Sequence, residues 1–179
     1  GTGQVSIGDA AQLQLPHESA DVWFTDPPYY DSVAYADLSD FFYVWLKLAI
    51  PNHRFMRAEL QDENGLTPKR EECIENIEYL RDGRPKDATF FESKLIEAFR
   101  RSNEILREDG IGCVVFAHKS TEGWEALLGG MLQAGWTITA SWPVATEKTS
   151  RLVARDSSAL ATSVHLICRP RPDDAPVGD

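Results

Sequence analysis

The sequence predicts an α/β fold: a sheet of mostly parallel strands closed by a carboxyl-terminal antiparallel hairpin, with helices on both faces. Three observations carry this expectation. The apolar runs Val22-Trp23-Phe24 and Ile111 to Ala117 have the length and continuity of buried strands. Between them, apolar residues recur at three- and four-residue spacing, the periodicity of amphipathic helices. After Gly135, the alternating segments Trp136 to Trp142 and Val164 to Cys168 follow one another as two strands of a hairpin.

Taken in order, Gln4 to Ile7 alternates and stops at Gly8-Asp9, reading as a short first strand. The central strand over Ala20 to Thr25 must end at Pro27 and Pro28, which cannot donate to a ladder. Residues 37–49 form a helix with Leu38, Phe41, Phe42, Trp45 and Leu48 as its core stripe. A polar loop fills 51–68. A thinly amphipathic helix over 69–81, with Ile74, Ile77 and Leu80, is closed by Asp82-Gly83-Arg84-Pro85. Thr89-x-x-Glu92 is a capping box opening the clearest helix, with Phe91, Leu95, Phe99, Ile105 and Leu106 inward and Asp109-Gly110 as its stop. The strand over 111–117 follows. Ser120 or Thr121 then caps a helix running to about Ala134 and closed by Gly135. Residues 145–158 are a polar loop, and the tail from Pro170 has nothing to bury. Residues 1–169 make up the domain and 170–179 the tail.

Composition bounds the function. With 179 residues, 42% hydrophobic and 26% charged, the chain can bury one core, and one domain is the default. No apolar run approaches the roughly 20 residues of a membrane span, and no signal peptide opens the chain, so a cytoplasmic protein without a membrane partner is expected. Cys73, Cys113 and Cys168 lie far apart, indicating neither a metal site nor a disulfide framework. Cys113 and Cys168 read as small core residues. The net charge of −10 argues against a free-standing nucleic-acid binder. Only the loop set near Lys148, with Arg151 and Arg155, could track a phosphate backbone.

The chemistry concentrates where the central strand ends. Asp26 is left at a carboxyl end, the side on which open α/β sheets bind ligands. Proline on its carboxyl side restricts the backbone, so the Asp26 carboxylate and the Pro27 carbonyl can point rigidly the same way. Two acceptors then face one amine. Accepting both hydrogens of an aromatic amine favours the pyramidal nitrogen that develops as it attacks a methyl donor. Tyr29 can stack on a base swung out of its helix. Tyr30 and Tyr35 are further candidates for substrate contact. His118, just past the 111–117 strand, either touches substrate or donor or is a strand-end histidine satisfied by the backbone. Read without its surroundings, the four-residue motif has a second reading, a strand followed by a Pro-Pro turn with an Asx-type acid.

Asp26-Pro27-Pro28-Tyr29 resembles the catalytic motif of S-adenosylmethionine-dependent amino-methyltransferases acting on DNA bases, and its Asp is more like the adenine enzymes than the cytosine ones. The run from Asp26 to Leu46, with Phe116-Ala117-His118-Lys119-Ser120-Thr121 and Ser141-Trp142-Pro143-Val144-Ala145-Thr146-Glu147, is similar to the large prokaryotic adenine-specific DNA methylases that contain a zinc ribbon. This resemblance covers nearly the whole chain up to Arg171. It implies a partial Rossmann-like methyltransferase sheet, S-adenosylmethionine as cofactor, DNA as partner, and methyl transfer to the exocyclic amino group of adenine. Asp26, Pro27, Pro28 and Tyr29 would be catalytic, with Tyr29, Tyr30, Tyr35 and His118 toward the substrate. In such enzymes an acid one strand before the motif often contacts the donor, and Asp9 resembles it; the resemblance places Asp26 toward the donor as well. A turn or cap residue is the other reading of Asp9.

The chain departs from that pattern in two places. The Phe-x-Gly-x-Gly turn that seats the donor has no counterpart, and the zinc ribbon is absent. The resulting expectation is the carboxyl-terminal part of a longer enzyme, inactive alone, with five strands where a full sheet has seven. The missing pair would sit between the first strand and the catalytic one. Those two strands are then joined directly, or an open edge pairs with the missing amino-terminal part or with a second copy in a homo-oligomer. Two other readings stand beside it: a catalytically inactive methyltransferase-like interaction module, and an amino-methyltransferase acting on RNA or protein.

Overall fold

The computed structural model describes residues 2–29, 33–118, 120–145, 162–172 and 175. Tyr30, the basic set Lys148, Arg151 and Arg155, most of the 145–158 loop and most of the tail lie outside the described residues. In chain order the elements are β1 (Ala20–Thr25), α1 (Tyr35–Ala49), β2 (Asn76–Arg81), β3 (Arg84–Lys86), α2 (Ala88–Ile105), β4 (Leu106–Phe116), α3 (Thr121–Gln133), β5 (Trp136–Ala145) and β6 (Thr162–Pro170). They divide into two compact units, one of Gly1–Tyr29 with Glu92–Asp179 and one of Tyr30–Phe91. No helix among the described residues is long and apolar enough to cross a membrane.

The first unit is built on a four-stranded sheet in the order β1-β4-β6-β5. β1 runs parallel to β4, while β6 is antiparallel to both β4 and β5. The expected carboxyl-terminal hairpin is therefore present. The expected parallel majority is not, since one of the three ladders is parallel.

The predicted first strand is also absent. Residues 2–9 form no strand, and Val5 and Ile7 are exposed. Four alternating residues without a partner edge do not make a ladder. β1 consequently sits at the edge, and its outer side has no ladder partner among the described residues. That is the open-edge alternative.

Among the described residues of this unit, α2 and α3 pack on the same face of the sheet. Trp23, Phe99 of α2 and Trp136 pack together there, and the Trp136 indole donates to the Phe99 carbonyl over 2.9 Å. Phe116 and Trp124 of α3 meet on the same face. On the other face Val22 and Phe24 remain 65% and 64% exposed, so helices on both faces is corrected for this unit. Trp142 is exposed there too, because β5 slips by one residue at Thr139: Ile138 pairs with Cys168 but Ala140 with Ile167. The single apolar face expected along β5 is split by this bulge.

Two helix signals also move. α2 is capped by Asp87, whose Oδ1 accepts from Phe90 N at 3.0 Å, rather than by Thr89. At its other end α2 passes directly into β4, with no left-handed stop at Asp109-Gly110. Gly110 instead serves a wide irregularity in the ladder. Between Ala20↔Leu106 and Val22↔Ile111, β1 advances two residues and β4 five. A Cβ on Gly110 would lie 2.6 Å from Leu106 Cγ.

The second unit holds α1 and the antiparallel pair β2-β3. The helix expected over 69–81 is overturned by its own terminator. Asp82 and Gly83 both take positive φ (53° and 78°), the two central residues of a type I′ hairpin turn. Ile77 and Leu80 are exposed, and only Ile74 of that stripe is buried. α1 forms where periodicity places it, but Leu38, Phe41, Phe42, Trp45 and Leu48 are exposed rather than core. Ala36, Ile74 and Phe91 are its buried apolar residues among those described, and polar contacts tie its segments together. Lys69 Nζ lies 2.6 Å from Asp40 Oδ2, the Glu72 carboxylate accepts from Ala36 N at 2.9 Å, and buried Lys86 donates to the Lys69 carbonyl at 2.8 Å. Burial pushes the Lys86 ammonium down.

Candidate active site

β1 and β4 are adjacent and parallel, so their carboxyl ends lie side by side. Their last paired residues are Thr25 and Val114. Asp26 and Pro27 follow on one strand, and Val115, Phe116 and His118 on the other. Asp26 is exposed, Pro27 buried, and Pro28 and Tyr29 half-buried. The acid thus projects from a bend whose next residue is locked into the protein. This is the arrangement in which a side-chain oxygen can be aimed by a rigid backbone.

An aromatic cluster lies behind the bend. The Tyr29 ring meets Phe116 at 5.3 Å between centroids and 78°. Phe116, fully buried, lies 6.0 Å from the His118 ring at 13° and 5.0 Å from Trp124 at 87°. Edge-to-face pairs at such separations hold rings in definite orientations.

His118 is fastened to the first turn of α3. Ser120 N donates to its Nδ1 at 3.1 Å, and Trp124 Nε1 donates to its carbonyl at 3.1 Å. Ser120 Oγ accepts from Gly123 N at 3.3 Å and caps the helix, so of the two expected candidates Ser120, not Thr121, is the cap. Gly123 leaves room for the ring, since a Cβ there would come 2.3 Å from His118 Nδ1. Glu122, in the same turn, has its carboxyl held below the usual range by its own backbone N–H and then by the Ser120 hydroxyl.

Two other expected site residues have settings of their own. Asp9 caps a short 3-10 turn, Ala10–Gln12, with Oδ1 accepting from Ala11 N at 2.9 Å, while Oδ2 lies 3.0 Å from Lys94 Nζ on α2. Its cap role is therefore built, and any donor contact would share a carboxylate already paired with a buried ammonium. Tyr35 opens α1 in the second unit and is exposed. A cavity of about 730 Å³, with Glu18, Glu104, Glu108 and Asp109 but also His17 and Arg171 in its wall, opens at the amino ends of β1 and β4. It is at the opposite end of the strands from Asp26.

Sequence pattern alone does not mark Trp124 as part of the site. The available signal was its spacing: four residues after the Ser120 cap, a side chain on the first turns of α3 lies back over the strand end that precedes the helix.

No protein-family model matches the chain, and no curated protein matches it. Among solved structures it is similar to TTHA0409 of Thermus thermophilus, a candidate DNA modification methylase. The complex of that protein with S-adenosyl-L-methionine aligns with 96% of this chain at 12% identity and a TM-score of 0.48. Another structure of the same protein aligns at 10% identity with a TM-score of 0.49. The M1.HpyAVI-SAM complex aligns with 48% of the chain at 14% identity and a TM-score of 0.33. The chain spans 57% and 56% of the two TTHA0409 structures and 48% of M1.HpyAVI. At this identity the likeness assigns neither ligand nor activity.

Proposed function

We propose that this chain is the acceptor-holding part of an S-adenosylmethionine-dependent amino-methyltransferase that modifies the exocyclic amine of adenine in DNA. The observation that carries the reading is the exposed Asp26 on a bend anchored by buried Pro27, at the carboxyl end of a strand parallel to its neighbour. A carboxylate and a rigid carbonyl can accept both amine hydrogens, leaving the nitrogen lone pair to attack. Tyr29 stacks on the extruded base. His118 lies at the same end and would border the base.

The described residues do not fit a complete donor site. Among them no strand precedes β1, so no Gly-rich turn can follow one, and the Asp9 carboxylate is engaged by Ala11 and Lys94. A segment beyond this chain would seat the donor, which would supply the methyl group there, while this chain holds and aligns the amine. That segment docks at the open edge of β1, where Val22 and Phe24 are bare. A second copy pairing at that edge is the alternative partner.

A catalytically silent interaction module is the second reading, favoured by the net charge of −10 and the engaged Asp9. Incubating the complete polypeptide with labelled donor and DNA, RNA or protein in turn tests both. Label in DNA adenine is the expected result. Label in RNA or protein moves the substrate, and none at all favours the silent module.

A further inference from the structure

The aromatic cluster behind Tyr29 extends one residue beyond the motif, and this extension rests on the base-modifying reading above. Tyr29 packs on Phe116, and Phe116 is in turn held edge-on by Trp124. Trp124 reaches the same place by a second route, because its indole N–H donates to the carbonyl of His118, two residues past the end of β4, whose ring lies over Phe116. One side chain on α3 therefore fixes both the ring beneath Tyr29 and the backbone that leaves the strand. Phe116 is fully buried and cannot meet a substrate, so its contact with Tyr29 can only orient that ring.

We propose that Trp124 is a positioning residue: it sets the Tyr29 ring as a platform for an extruded base without touching the base. A ring fixed in advance costs less to order when the base arrives, so the effect falls on substrate binding rather than on transfer. Removing an aromatic pair and a hydrogen bond together corresponds to a loss of roughly tenfold.

The test compares Trp124→Leu and Trp124→Phe with wild type in the complete polypeptide, using labelled donor and mixed-sequence DNA. Trp124→Leu should raise the DNA KM about tenfold with kcat and donor affinity within about twofold. Trp124→Phe keeps the ring and loses the N–H, and should fall between. A merely structural role would lower kcat and leave KM in place, which would overturn the proposal. A readout independent of turnover is 3-fluorotyrosine NMR, with the Tyr29 resonance assigned by its loss in Tyr29→Phe. Trp124→Leu should move that resonance, and an unmoved resonance overturns the proposal. Wild type that transfers no label to DNA counts against the base-modifying reading itself, and the fluorine resonance still decides whether Trp124 holds the ring.

Discussion

The ring of Trp23 lies against that of Trp136, 4.8 Å between centroids and 24° between planes, although their strands are separated by two others. Gly112 makes the contact possible. It pairs with Trp23 on one side and Cys168 on the other, and a Cβ there would lie 2.8 Å from Trp136 Cζ3 and 2.6 Å from Cys168 Sγ. Gly112→Ala should therefore cost about 1–3 kcal/mol by overpacking. Chemical denaturation would report it as a lower midpoint with unchanged slope.

The paired carboxylate of Asp9 yields a second expectation. Lys94 is only 6% exposed at its side chain, and Asp9 is about a third exposed. A fully buried pair loses about 3–5 kcal/mol when one partner goes, and solvent at Asp9 reduces this to about 2 kcal/mol. Asp9→Asn, which keeps a capping oxygen but not the charge, should lower the melting temperature by about 4–8 °C. An unchanged melting temperature would remove the structural role from Asp9.

The three thiols should differ in reactivity. Cys113 and Cys168 are buried. Burial pushes the Cys113 thiol up, and burial followed by the neighbouring Cys113 pushes Cys168 up to about 12. Thiolate is the reactive form. In native protein a disulfide reagent at mildly alkaline pH should modify Cys73 alone, with the other two appearing on unfolding.

Tyr79 supplies a pH signature in the second unit. Its phenol donates to the Asp37 carboxylate, and that bond, followed by burial, raises its pKa to about 12. The fold favours the protonated phenol, so the stabilisation is full below the unfolded value near 10 and is lost as pH rises through about 12. Ultraviolet titration should show a late tyrosinate step that Tyr79→Phe removes and Asp37→Asn moves to lower pH.

The strand leading to Asp26 was legible because an apolar run meeting two prolines must end there, and the end of α3 because Gly135 closes it, whereas Ser120 and Thr121 both offered a cap and only geometry chose Ser120. Asp82-Gly83 was not, since the same pair closes a helix or turns a hairpin, and the spacing of Ile77 and Leu80 favoured the wrong choice. Asp87 and Thr89 both have capping side chains two residues apart, and only geometry separates them. In α1 the periodicity of Leu38, Phe41 and Trp45 defines a stripe but cannot say what covers it. At the site, Asp26 and Tyr29 belong to one contiguous motif. Phe116 and Trp124 join them only through the pairing of β1 with β4 and the placement of α3.

The measurement that bears most directly on the central claim is methyl transfer by Asp26→Ala in the complete polypeptide, with donor affinity measured in parallel by calorimetry. Loss of the Asp26 acceptor should reduce transfer to DNA by at least about a hundredfold while donor affinity stays nearly intact. Turnover equal to wild type in that variant would contradict the assignment of Asp26 as the residue that holds the amine.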